Sequence, residues 1–225
     1  MPLLHSLSEW PADIPRARRV QLDLAGKVRC VPLKARPRLV AGVDAAFTTD
    51  RLFAAACLYA FPSLEPLEEA GVSRKLEFPY VPGFLTFREG PAIVEALAAL
   101  GRKPDLVLVD GQGIAHPRRL GIASHIGVLL GLPTIGCAKS RLVGEFREPR
   151  PERGRRSPLR FEGQTVGAVL RTRTGVRPLF VSPGHLIDVP GSIRIVLRTT
   201  AGYRIPEPLR RADALSRAAA RAERI

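Results

Sequence analysis

The sequence predicts an α/β protein, a central mixed β-sheet with helices packed on its faces. Three observations predict it. The chain has 225 residues, 45% of them hydrophobic and 25% charged, enough apolar material for a substantial core. Its early part carries apolar, strand-like runs separated by tight connections, the pattern of an antiparallel meander. Its middle alternates strand-like and helix-like segments, the pattern that lays helices over a sheet.

The elements follow in order. Residues 11–28 mix charged and apolar positions at helical spacing and predict an N-terminal helix. Leu39–Phe47 (LVAGVDAAF) is an apolar run of strand type with one acid inside it. Asp50 and Arg51 predict a tight connection into a second strand over residues 52–61, and residues 67–78 supply a third, antiparallel one. Pro91 is expected to open a helix as an N1 proline, with Ile93, Leu97 and Leu100 as its buried stripe and Gly101 as its end. Residues 105–110 (DLVLVD) form a continuous apolar run bounded by acids, which fits a strand covered on both faces. Residues 120–130 predict a helix stopped by Gly131, and residues 133–138 another buried strand. Residues 148–160 (EPRPERGRRSPLR) lack periodicity and are expected to form a surface loop and a basic contact. Residues 165–172 and 177–182 predict a hairpin, and residues 206–225 an Arg-rich helix. With no internal repeat and no long linker, one domain over residues 1–225 is expected.

Composition excludes several classes of protein. No apolar run approaches the roughly 20 residues that cross a bilayer. Glu9, Asp13 and two prolines interrupt the N-terminal stretch where a secretory leader needs unbroken apolar sequence, so a cytoplasmic protein without membrane contact is expected. Cys30, Cys57 and Cys137 are scattered without paired spacing, which predicts neither a disulfide framework nor a zinc site. The positive signal is charge. Thirty-five Lys+Arg against 21 Asp+Glu give +14, a surface suited to a polyanion such as nucleic acid. A compositional preference for Arg over Lys accounts for the type of cation but not for the shortage of acids.

Against that basic background three carboxylates stand out. Asp44 lies in the middle of an apolar strand, Asp110 ends another, and Glu89 follows the loop PYVPGFLTFR. A lone charge in a buried strand costs several kcal/mol unless it is paired or binds a metal. A salt bridge explains one such acid; several together point to a metal site. Carboxylates without His or Cys nearby suit a hard cation, Mg²⁺ or Mn²⁺. On a basic protein such a site fits phosphodiester hydrolysis.

Asp110 opens a Gly-rich turn, DGQGIAHPRRLG, in which Gly111 and Gly113 let backbone approach a ligand closely. His116 falls at the C-terminal end of the preceding strand, where ligand sites gather in open sheets. Arg118 and Arg119 are positioned to hold phosphates or to sit in solvent. Lys139 directly follows a buried strand and can hold a phosphate or orient a nucleophilic water. The loop of Pro79, Tyr80, Val81, Pro82, Gly83, Phe84 and Leu85 combines aromatics with two prolines. It reads either as a wedge into a base stack or as a loop folded onto its own core.

Taken together, AGVDAAF, FPYVPGFLTFREGPAI, the long segment from PDLVLVDGQGIAHPRRLG to CAKSRL, PLFVSPGH and GYRIPEPLRRAD resemble the endonuclease V family, over most of the chain. The resemblance implies a ribonuclease-H-like fold, a central mixed β-sheet flanked by helices with acids on adjacent strands. It implies Mg²⁺-dependent nicking of double- or single-stranded DNA at the second phosphodiester 3′ of deoxyinosine, leaving 3′-hydroxyl and 5′-phosphate ends, with Mn²⁺ able to substitute. Asp44, Glu89 and Asp110 match the family's metal-binding acids, and Asp213 matches a position near the metal. His116 and Lys139 match positions tied to catalysis and the scissile strand. Residues 79–82 match the wedge, with Tyr80 stacking at the vacated place. Gly83, Leu85, Gly111 and Ile122 match the pocket for the flipped hypoxanthine. His125 is expected to be a packed or capping residue and His185 a structural loop residue. Asp213 lies among Arg210, Arg211 and Arg217, so an ion-pair role is also open.

Alternatives to this function are a nuclease for inosine in RNA, a binding protein of the same fold without catalysis, and a resolvase-like nuclease that reads DNA shape. The intact acids oppose the second and the PYVPGF segment opposes the third. A monomer is expected.

Overall fold

The computed structural model describes residues 10–223. Strands β1 (Leu39–Phe47), β2 (Arg51–Ala60) and β3 (Pro66–Lys75) form the antiparallel meander. On the other side of β1, β4 (Leu106–Val109) and then β5 (Thr134–Ala138) pair in parallel. The antiparallel strands β6 (Arg156–Phe161), β7 (Gln164–Leu170) and β8 (Leu179–His185) complete one mixed eight-stranded sheet, in the order β3-β2-β1-β4-β5-β8-β7-β6. Five helices accompany it among the described residues: α1 (Ile14–Ala25), α2 (Leu85–Ala98), α3 (Ile122–Leu130), α4 (Val189–Thr199) and α5 (Glu207–Ala222).

Strand periodicity divides the core into two layers. Val40, Leu106, Leu108 and Ile135 pack with Val196 of α4 and Leu209 of α5. The alternate residues Ala41, Val43, Val107 and Val109 pack with Ile93 of α2 and Ile126 of α3 on the other face. Every residue of β4 is buried, as a strand covered on both faces requires. Local signals set several ends. Asp13 caps α1 by accepting the Arg16 N–H at 2.8 Å, Asp188 caps α4 by accepting the Gly191 N–H at 2.7 Å, and Gly131 ends α3 at φ 63°.

Two expectations are corrected, and one helix was not expected. The helix expected to open at Pro91 starts at Leu85, so Pro91 lies inside it and Glu89 stands on the helix. Interior proline costs about 3 kcal/mol; here the first turn buries Phe87 against Phe78 and Phe84, which offsets it. The expected loop 148–160 ends in β6, because Leu159 packs under Val166, Val169 and Phe180. Helix α4 had no counterpart in the sequence reading, although the cap Asp188 and the following proline signalled it. Residues 224–225 of the expected tail helix, and residues 1–9 of the N-terminal stretch, lie outside the described residues. Among the described residues no helix is long and apolar enough to cross a membrane.

One contact in this frame positions the site. Gly42 of β1 faces α5 so closely that a Cβ there would lie 2.3 Å from the Pro208 carbonyl carbon and 2.5 Å from the Leu209 nitrogen. From that crossing Asp44 is two strand residues onward, about 7 Å, and Asp213 about a turn and a quarter of helix onward, about 7 Å.

Candidate active site

Those steps bring the two acids together. Asp44, Asp110 and Asp213 each offer a carboxylate oxygen, and the three lie within 4.8 Å of one another. Asp44 and Asp110 meet because β1 and β4 run parallel with Val43 opposite Val109, so the next residue of each stands beside the other. Lys139, one residue past β5, places its Nζ 2.5 Å from Asp110 Oδ2 and 3.7 Å from Asp213 Oδ1. The Arg204 guanidinium donates to the Lys139 carbonyl at 2.8 Å and so fixes the lysine's backbone. Arg217 donates to Asp213 Oδ1 at 3.0 Å, one turn along α5. Asp213 thus stands in the acid cluster and in an ion pair at once. Glu89 is only 7% exposed and reaches the same cavity from α2, on the opposite face of the sheet. It stands outside the tight trio for that reason.

The electrostatics are those of crowded acids. Burial, and then the Asp110 charge, push Asp44 up to about 8. Burial, then Asp44 and Asp110, raise Glu89 well above the usual carboxylate range. Burial opposes protonation of Lys139, but Asp110, Asp44 and Asp213 outweigh it and raise its pKa. Four carboxylates thus face the cations Lys139 and Arg217 around one cavity of about 370 Å³. Crowded oxygen donors that hold protons a cation can displace are a set that a divalent metal ion takes, and the residues present fit such an ion.

A pH dependence follows. The folded pKa of Asp44 is raised above its unfolded value near 3.9, so from about pH 4 to about pH 8 the native chain holds a proton that the unfolded chain releases. Stability from this group is therefore lost as pH rises through that window. The expected result is a Tm gain on adding Mg²⁺ that is larger at pH 8 than at pH 5, measured by thermal melts with Mg²⁺ and with EDTA. Equal gains at both pH values would reject the cluster as the metal site.

A second cavity of about 340 Å³, within the range of small-molecule sites, adjoins the first and shares Leu85, Asp110 and Lys139 with it. Its lining includes Tyr80, Val81, Pro82, Gly83, Gly111 and Ile122. Pro79 precedes this rim and is not part of the lining. Tyr80 is 70% exposed at the mouth, so the loop is not folded onto its own core there. The lining also includes Gln112, Ala138, Ser140, Arg141 and Leu142, which the sequence reading did not assign. Their signal was adjacency to Gly111 and Lys139. Of the two glycines expected to admit a ligand, Gly111 faces Ile122 in the cavity, whereas Gly113 is pressed against β8, where a Cβ would lie 2.0 Å from the Pro183 oxygen.

His116 belongs to this cavity and not to the acid cluster. Its Nδ1 accepts the Arg118 N–H at 3.1 Å and its Nε2 lies 3.0 Å from the Gly83 carbonyl, which requires the neutral Nε2–H form. Burial pushes its pKa down to about 4. Neither phosphate contact nor solvation, the two readings left open for Arg118 and Arg119, describes the contacts these side chains make within the protein. Arg118 donates to the Gly83 carbonyl and to Gln21, and Arg119 to the Phe161 carbonyl and Glu162. His125 is packed between Trp10 and Phe87. His185 ends β8 rather than lying in a loop, and accepts the Arg29 N–H at 3.2 Å.

A mixed sheet of this order, with acids converging where β4 ends beside the middle of β1 and a recognition-sized cavity alongside, defines a nuclease of ribonuclease-H-like fold. The endonuclease V family model matches residues 22–214, and the chain belongs to that family. It is 54% identical to the endonuclease V of Geotalea uraniireducens over 89% of this chain and 86% of that one. Among solved structures, the endonuclease V of Streptomyces avermitilis superposes with a TM-score of 0.91 at 43% identity, covering 97% of both chains. The Ciona intestinalis endonuclease V, solved with a 24-mer DNA containing an inosine followed by a ribo-adenosine, superposes with a TM-score of 0.82 at 25% identity. That match covers 92% of this chain and 98% of the other.

Proposed function

We propose that the protein is an Mg²⁺-dependent endonuclease that recognises deoxyinosine in DNA and hydrolyses the second phosphodiester bond on its 3′ side. The observation that carries this reading is the pair of adjoining cavities, one acidic and one lined largely by apolar side chains and glycine backbone, joined at Leu85, Asp110 and Lys139. A base read in one place and a phosphate cut in the other gives a nick displaced from the lesion.

Each residue then has a task. Tyr80, at the exposed rim with Val81 and Pro82, enters the stack and occupies the place that the extruded base leaves. Gly83, Leu85, Gly111 and Ile122 enclose the base. Asp44, Asp110 and Asp213, with Glu89 behind them, hold Mg²⁺, which Mn²⁺ can replace. When bound, the ion supplies charge neutralisation at the scissile phosphate and an acidified water. Lys139 donates toward a phosphate oxygen from its place beside Asp110. His116, neutral at pH 7 and committed at both nitrogens, shapes the base cavity.

The deciding experiment incubates the protein with Mg²⁺ and end-labelled oligonucleotides carrying one inosine, in DNA and in RNA, and maps the product ends. A single EDTA-sensitive cut, displaced to the 3′ side and absent for adenine, is expected in DNA. A cut in RNA alone would replace DNA with RNA as the substrate, and no cut in either would reject catalysis. Tyr80→Ala should lower the preference for inosine over undamaged duplex about tenfold, as expected for loss of one base–aromatic stack worth about 1–3 kcal/mol. Equal loss on both duplexes would make Tyr80 structural only.

A further inference from the structure

Gly83 stands at φ +81°, a backbone region that glycine enters freely and in which its peptide group turns over at little cost. A cavity that packs a base against this loop needs that freedom removed. The structure removes it from three directions. The Gly83 carbonyl accepts Gln21 Nε2 at 2.8 Å, Arg118 Nη2 at 2.7 Å and His116 Nε2 at 3.0 Å. Three donors on an oxygen with two lone pairs leave none of its accepting capacity for a ligand. Arg118 in turn donates its Nε to Gln21 Oε1 and lies over the Phe84 ring, 4.3 Å from its centre. The Phe84 N–H, on the other side of the same peptide group, donates to the Val81 carbonyl at 3.0 Å. Both ends of the Gly83–Phe84 peptide are thereby tied.

We propose that Gln21, together with Arg118, is a positioning residue for base recognition: it locks the Gly83–Phe84 peptide in the one orientation that the base cavity uses. The inference rests on the inosine-pocket reading above. Gln21 is on α1, far in sequence from every residue of the cavity, and is 1% exposed. A glutamine buried on a helix needs both halves of its amide satisfied, and here the carbonyl half holds Arg118 while the amide half holds Gly83. The pair therefore transmits the docking of α1 to a loop that touches substrate. Gln21 itself touches none.

The test uses Gln21→Met, which keeps the side chain's length and removes both hydrogen bonds, and Arg118→Lys, which keeps a charge and loses the link to Gln21. Affinity is measured in EDTA for an inosine duplex and for the matching adenine duplex, followed by cutting rates with Mg²⁺. Trp10, the one tryptophan, packs against Phe87 and His125 and reports by its emission whether the helices remain seated. The expected result is a roughly tenfold fall in the inosine-to-adenine affinity ratio, carried by the inosine duplex and appearing as KM rather than kcat. Unchanged ratios in both variants, with wild-type selectivity intact, would overturn the lock and leave the inosine reading standing. Equal losses on both duplexes with shifted Trp10 emission would make Gln21 merely structural and also overturn it. A wild-type protein that binds both duplexes alike would remove the inosine reading and the lock with it.

Discussion

Asp110→Asn is expected to abolish cutting, by a thousandfold or more, while the protein still binds inosine DNA. Asp110 is the one acid that joins every part of the site: it contacts Lys139, belongs to the trio with Asp44 and Asp213, and borders both cavities. With the metal site as proposed, losing one carboxylate ligand removes several kcal/mol of charge stabilisation at the phosphate, and each 1.36 kcal/mol is about tenfold in rate. The metal-free variant should nonetheless be at least as stable as the parent. Asparagine keeps the shape and removes a negative charge that otherwise raises Asp44 and Glu89. Its affinity for DNA in EDTA should be equal or tighter, because a phosphate then meets one fewer like charge. Single-turnover cutting, anisotropy binding and a thermal melt on the same preparation test all three. Retained cutting would break the metal assignment, and lost binding would place Asp110 in substrate affinity instead.

Gly42→Val carries the largest expected effect on the fold. The substituent would enter the backbone of α5 at Pro208 and Leu209, which cannot yield as a flexible side chain does. Overpacking of this kind costs about 1–3 kcal/mol or more, about 3–10 °C in Tm for a chain of this size. Since α5 also carries Asp213, pushing it off β1 should weaken Mg²⁺ binding and cutting together. Gly26→Ala is the control, for that position has αR backbone and no atom within 4 Å of an added Cβ. A Gly42 variant that melts and cuts like the parent would show that the close crossing is dispensable.

These two residues also mark how far the sequence could be read. Asp110 was legible because an acid ending an apolar strand demands a reason, and Asp44 inside LVAGVDAAF was legible on the same ground. Gly42, two residues earlier in that run, carries no comparable mark, since a glycine in a strand has many causes. Asp213 was reached only through the family resemblance: in an Arg-rich helix it looks like any solvated acid, and its Arg217 pair is real. Gln21 was not legible at all. Nothing in a stretch of helical spacing tells that one amide is buried against a loop more than sixty residues away.

Errors in the element reading have the same origin. At Pro91 and in the segment 148–160 local punctuation points one way, and apolar partners from other segments, Trp10 and Ala17 beside Phe87 and Phe180 of β8 beside Leu159, prevail over it. Properties set by residues close in sequence were readable from the chain alone. Strand runs, helix caps, the basic balance and the misplaced acids are of this kind, because periodicity and capping act within a few residues. Which acids meet was decided only in three dimensions. That depends on the parallel register of β1 and β4, the contact of α5 on Gly42 and the reach of Glu89 around the sheet's end. Each of these depends on backbone from distant segments fitting together, and no short window of sequence contains both partners.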